Sequence, residues 1–120
     1  MKEPTYRWVI ATDLDGNEKI QLNISEVITV KAGGKKLCLG RLEDGYHAVS
    51  NTCPHAGGPL GFGWCDGHGN VVCPHHRYKF DLKTGKNSTG EGYYVRPYPV
   101  EERAEGIFIG MPVKNWLFFD

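Results

Sequence analysis

The chain has 120 residues, with fourteen Lys and Arg against fourteen Asp and Glu and a net charge of zero. That balance leaves no basic field to capture a phosphate backbone or an anionic lipid surface, so nucleic acid and membrane partners are not expected. The length suits one domain around one core, and Gly 16 and Pro 7 over-supply turns, which favours β structure over helices.

The N-terminal stretch MKEPTYRWVIATDLDG contains no apolar run long enough for a signal h-region, and nowhere do about 18 apolar residues follow one another. A cytoplasmic chain is the expectation. Within this stretch YRWVIATDL has strand character and ends at Asp15-Gly16, a turn dipeptide that predicts a hairpin corner. The β-branched segment 26–31, EVITVK, predicts a second strand. Asp44-Gly45 then separates KKLCLGRL from YHAVSN and predicts a hairpin, with Leu37, Leu39 and Val49 alternating toward a core.

Asp66-Gly67 precedes the apolar pair Val71-Val72, and Glu105-Gly106 divides YPVEER from IFIGM, predicting further corners. Pro97 and Pro99 suit an edge strand, because proline cannot donate to a central ladder. No segment carries a helical pattern. The expected architecture is all-β: an antiparallel sandwich or barrel base over residues 1–50 and 81–120, carrying an insertion over roughly 51–80.

That insertion holds the chemistry. Four cysteines occur, Cys38, Cys53, Cys65 and Cys73, and a chain without an export signal meets a reducing compartment, so metal ligation outranks disulfides for any cysteine with histidine neighbours. Cys53-Pro54-His55 is followed after seventeen residues by Cys73-Pro74-His75-His76, the pattern C-x-H-x17-C-x-x-H. With four Cys and five His in the chain, a chance match at all four positions arises about once in a few thousand such sequences. Tetrahedral sites of two sulfurs and two nitrogens serve both zinc and iron–sulfur chemistry. Zinc fingers pair Cys with Cys and His with His, whereas here each loop is mixed, which favours two bridged irons over one zinc.

C-P-H followed by A-G-G-P-L, and C-P-H-H followed by F-D-L-x-T-G, resemble the Rieske [2Fe–2S] family over about residues 46–100. The resemblance implies that Cys53 and Cys73 ligate one iron while His55 and His76 ligate the other, with the imidazole edges near the surface. Two ferric ions, two sulfides and two thiolates cancel in charge. One electron therefore leaves a single negative charge instead of the larger burden of an all-cysteine cluster, and neutral imidazoles raise the potential. In the high-potential branch of the family each loop contributes a further cysteine to a disulfide. Those places are Gly58 and His75 here, so that brace is absent.

The same branch carries Ser and Tyr hydroxyl donors two and four residues after the second His ligand, where this chain has Tyr78 and Phe80. Without them, a midpoint near about −150 mV, the low end of the Rieske range, is expected. Arg77 stands where the family has Gly, and two roles stay open for it: a cation serving the reduced centre or an acidic partner, or a solvated loop side chain. His47 and His68 are read as ordinary surface histidines, His75 as cover for the centre, Cys38 as a small buried hydrophobe and Cys65 as a packed thiol. Trp8, Trp116, Phe118 and Phe119 are read as core or edge aromatics. Pro59 and glycines 57, 58, 61 and 63 are expected where the chain passes close to the centre.

The resemblance implies an electron carrier, fed by a reductase and docking on an oxygenase of the ring-hydroxylating type. Its alternatives are the small subunit of an assimilatory nitrite reductase and, from a different class, a structural zinc module. No nucleophile with its base, paired carboxylates or phosphate loop is found, so the chain is not expected to transform a substrate by itself.

Overall fold

The computed structural model describes residues 5–54 and 57–113. Ten strands form three antiparallel sheets: β1 (Tyr6–Ile10), β2 (Val27–Ala32), β3 (Lys35–Leu42), β4 (Gly45–Ser50), β5 (Trp64–Cys65), β6 (Asn70–Val72), β7 (Lys79–Asp81), β8 (Pro97–Tyr98), β9 (Val100–Arg103) and β10 (Gly106–Pro112). Their orders are β1-β10-β9, β2-β3-β4-β8 and β5-β6-β7. Among the described residues the one helical element is a 3-10 turn, Leu60–Phe62.

The hairpins at Asp44-Gly45, Asp66-Gly67 and Glu105-Gly106 form where the turn dipeptides place them, joining β3 to β4, β5 to β6 and β9 to β10. Asp15-Gly16 does not make a hairpin corner. The Asp13 carboxylate accepts the N–H groups of Asp15 (2.9 Å) and Asn17 (3.0 Å) and closes a local turn there. No strand follows until Val27, and β1 pairs instead with β10 near the far end of the chain, Tyr6 opposite Pro112 and Ile10 opposite Phe108. The partner that wins is the one with a strong apolar alternation: Ile107, Ile109 and Met111 are all buried.

The middle sheet is buried on both faces, and this fixes where the ligand loops sit. Ile28, Val30 and Ala32 of β2, Leu37 and Leu39 of β3, and Tyr46 and Ala48 of β4 pack into the base core with Ile107 and Ile109. Val27, Cys38 and Val49 belong to a second core with Cys53, Leu60, Val71, Cys73, Phe80 and Leu82. Val49 is registered opposite Cys38, so it lies on the face away from Leu37 and Leu39 rather than with them. Gly40 lies where a Cβ would come 2.8 Å from the Leu82 side chain, so its lack of bulk makes room for the insertion to seat. β8 with Pro97 is the edge strand of this sheet, as proline requires.

Candidate metal centre

The chain leaves the middle sheet at Ser50, forms the β5-β6-β7 sheet and rejoins the middle sheet at β8. Each of its two Cys-bearing loops is closed by the same pair of backbone hydrogen bonds. In the first loop Cys53 N–H donates to the Gly58 carbonyl (2.8 Å) and Gly57 N–H donates to the Cys53 carbonyl (2.8 Å). In the second, Cys73 N–H donates to the Tyr78 carbonyl (2.9 Å) and Arg77 N–H to the Cys73 carbonyl (3.0 Å). Gly57 and Arg77 thus occupy equivalent places, and both take the left-handed backbone, with φ of +72° and +61°.

The loops meet. A Cβ on Gly58 would lie 3.1 Å from the Cys73 sulfur and 3.0 Å from Cγ of the His75 ring, so the first loop's backbone rests directly on the second loop's thiol. Cys53 and Cys73 are 1 % and 0 % exposed within one apolar cluster, while His75, His76 and Arg77 are exposed. His55 lies outside the described residues, as do Trp116, Phe118 and Phe119. Among the described residues no three His, Cys, Asp or Glu side chains are gathered to hold a single metal ion.

Asn51, to which sequence reasoning assigned no role, anchors the first loop. Its buried side-chain oxygen accepts Gly61 N–H (2.8 Å) and the Thr29 hydroxyl (3.3 Å), and its carbonyl accepts Leu60 N–H (2.6 Å). The loop is thereby stitched to β2. Gly61 passes so close to Thr29 that a Cβ would fall 2.6 Å from its nitrogen, and a Cβ on Gly63 would fall 1.9 Å from the Val72 carbonyl oxygen. These two glycines are required by neighbouring backbone. Gly58 is the one that borders the Cys73 sulfur.

The F-D-L-x-T-G segment explains itself structurally. Phe80 and Leu82 enter the second core, the Asp81 carboxylate accepts N–H groups from Lys83 (2.8 Å) and Thr84 (2.9 Å), and Gly85 closes the turn at φ +77°. Beside the second loop, the Tyr78 ring stacks on Tyr93 at 5.9 Å and 27°. Partial desolvation, then the Glu91 carboxylate, Tyr93 and Cys53, push the Tyr78 phenol above its ordinary range.

The remaining residues singled out in the sequence take ordinary structural places. Burial, with Cys65 nearby, drives the Cys38 thiol well above the usual thiol range, so it stays protonated in the core. Burial and the adjacent Asp66 carboxylate also raise Cys65. His47 pairs with Asp44 at 2.8 Å, and the exposed His68 donates its N–H to Asp66 (2.7 Å). Partial burial pushes Asp66 up. The Asn70 side chain, the His68 and Asn70 N–H groups and Lys79 together outweigh that and bring it down to about 2. Trp8 is half-buried, with the Arg103 guanidinium over its ring at 5.7 Å.

A family model for the Rieske [2Fe-2S] domain matches residues 14–97. The chain belongs to the Rieske family. A ferredoxin component of naphthalene 1,2-dioxygenase/salicylate 5-hydroxylase systems from Ralstonia sp is 31% identical over 98 residues, covering 81% of this chain and 88% of that protein. Among solved structures, the ferredoxin of carbazole 1,9a-dioxygenase from Nocardioides aromaticivorans IC177 superposes with a TM-score of 0.69 at 26% identity, covering 91% of this chain and 99% of that one. A Mycobacterium tuberculosis chain described as an NADH-dependent nitrite reductase small subunit gives 0.72 at 26% identity, covering 91% and 98%.

The cofactor of this Rieske chain is a [2Fe–2S] cluster, and the residues present fit it. Two thiols buried in one apolar core, with exposed histidines in the second of their loops, suit a group with an inner and an outer metal. The family match favours this centre over the single zinc that the donor set also allows. Gly58 and His75, the places of the absent disulfide, are in contact, and the His75 ring covers that spot. Among the described residues no helix is long and apolar enough to cross a membrane.

Proposed function

We propose that Cys53 and Cys73 hold the inner iron and His55 and His76 the outer one, and that the chain is a cytoplasmic carrier taking one electron from a reductase and delivering it to an oxygenase. The observation that carries this reading is the shared loop frame, which stacks Gly58 on the Cys73 thiol, keeps both thiols dry and leaves His76 in solvent. When bound, the cluster supplies one-electron redox chemistry at a potential that neutral imidazoles raise. Cys53 and Cys73 exclude water from the inner side, and the exposed imidazole edge is the short way out for the electron.

Support for the partners comes from the relatives, which are ferredoxin components of dioxygenase systems, and from a solved complex of reduced oxygenase with oxidised ferredoxin in carbazole 1,9a-dioxygenase. A carrier needs small, short-lived interfaces. Phe80 brings no hydroxyl into the thiol-bearing core, which supports a midpoint near about −150 mV.

A second reading, the small subunit of a nitrite reductase, is favoured by the superposition on the Mycobacterium chain. Affinity isolation from the native cells separates the two. A carrier elutes free of partners, whereas a subunit remains in a stoichiometric complex with a large sirohaem flavoprotein. His55→Cys tests the ligand set: the variant keeps a cluster at a lower midpoint because thiolate charge is added, and an unchanged midpoint refutes the assignment.

A further inference from the structure

We infer that Arg77 is a docking residue, presenting its guanidinium beside His76 to a carboxylate-bearing patch on the redox partner. This rests on the reading that electrons leave through the exposed imidazole end.

The argument starts from the backbone. The shared loop frame demands a left-handed residue four positions after each cysteine, and the first loop meets the demand with Gly57. The second loop meets it with arginine, at φ +61°, a conformation that glycine reaches freely and other L-residues reach at a cost. Ser25 is the other described non-glycine residue at positive φ. Strain of this kind clusters at binding and active sites. Arg77 is exposed, and among the described residues its side chain makes no hydrogen bond or ion pair that would offset the strain.

Position and charge indicate what does. Arg77 follows His76 directly in sequence. Tyr78 and Tyr93 stack beside it and the 72 % exposed Tyr94 extends the face. Three other charges belong to this region, one of them the exposed Lys86, the bridge partner of Tyr94. Glu91 accepts the Thr89 hydroxyl and acts on Tyr78, while Lys79 is engaged by Asp66 at 3.4 Å. With a net charge of zero the chain projects no long-range field, so the exposed Arg77 cation at the exit governs orientation at contact. A planar guanidinium matches a carboxylate with two parallel hydrogen bonds, which names the partner chemistry as acidic protein surface.

The probes are two inorganic one-electron oxidants of opposite charge, ferricyanide and hexaammineruthenium(III), each taking one electron from the reduced holoprotein in stopped flow. Dividing one rate by the other removes any change in midpoint, because the donor is the same. At about 10 mM salt, Arg77→Gln lowers the ferricyanide-to-ruthenium ratio about tenfold, Arg77→Lys largely preserves it and Glu91→Gln raises it. The differences collapse at about 0.5 M salt. An equilibrium readout runs alongside: a hexaglutamate peptide binds the oxidised holoprotein several-fold more weakly after Arg77→Gln, by calorimetry. Should Arg77→Gln not hold its centre, the wild type decides, since its ferricyanide rate alone must fall steeply with salt. Equal salt slopes for both oxidants, or an unmoved ratio in Arg77→Gln, overturn the inference. A holoprotein with no one-electron centre to reduce would instead overturn the reading on which it rests.

Discussion

Asn51→Ala removes the acceptor that stitches the first ligand loop to β2. Gly61 is buried, so its N–H loses a 2.8 Å hydrogen bond with no water to replace it. The Thr29 hydroxyl loses a longer one, at 3.3 Å, and can rotate to another acceptor. An orphaned buried donor costs about 1–3 kcal/mol and the weaker bond about 0.5, giving a loss of about 1.5–3.5 kcal/mol. Unfolding entropy near 2.1 cal/mol/K per residue amounts to about 0.25 kcal/mol/K over this chain, so the thermal midpoint should fall by about 6–14 °C. Bleaching of the visible absorbance in the presence of a chelator should also quicken, because the loop that opens carries Cys53. Asn51→Asp keeps the acceptor oxygens and is the control for packing. A midpoint for Asn51→Ala within about 2 °C of wild type would refute the claim that this side chain holds the loop.

Arg77→Gly should be more stable than Arg77→Ala by about 1 kcal/mol, because both remove the side chain and only glycine relaxes the left-handed backbone; equal thermal midpoints would contradict this. Asp66 has its carboxyl held at about 2 against an ordinary 3.8, so the stability it contributes is present above about pH 4 and lost as the pH falls toward 2. Asp66→Asn should therefore flatten the acid limb of a thermal-midpoint profile, and parallel profiles for the two proteins would reject the linkage. Phe80→Tyr puts a phenol into the core that Phe80 shares with the Cys53 and Cys73 thiols. A hydrogen bond of about 1 kcal/mol to sulfur raises the midpoint by about 40 mV, whereas no rise would mean that position 80 faces away from the sulfurs.

The legible part of this protein is what local chemistry dictates. Asp44-Gly45, Asp66-Gly67 and Glu105-Gly106 each sit between short apolar runs, and their backbone requirements alone set three hairpins. Asp15-Gly16 carries the same signal but lacks a following strand, so Asp13 captures it as a local turn and β1 finds its partner about a hundred residues away, which no window of sequence reveals. Val49 shows a second limit. Alternation tells which residues share a face, but a sheet covered on both sides has no polar face to say which core each set joins. At the site, the paired Cys-x-His and Cys-x-x-His spacing pointed to the two loops that the structure brings together, where Gly58 meets Cys73 and His75. Asn51 gave no signal, because a buried amide reads in sequence like any loop asparagine. The equivalence of Arg77 with Gly57 emerges only from the matching hydrogen bonds of the two loops.

The most direct measurement is an anaerobic redox titration of the isolated protein followed by electron paramagnetic resonance, with iron, zinc and acid-labile sulfide quantified on the same sample. The account predicts two irons and two sulfides per chain, a single one-electron step near about −150 mV, and a reduced signal whose average g value lies below that of all-cysteine clusters. Stoichiometric zinc from protein made with ample iron, or a signal of the all-cysteine kind, would contradict it.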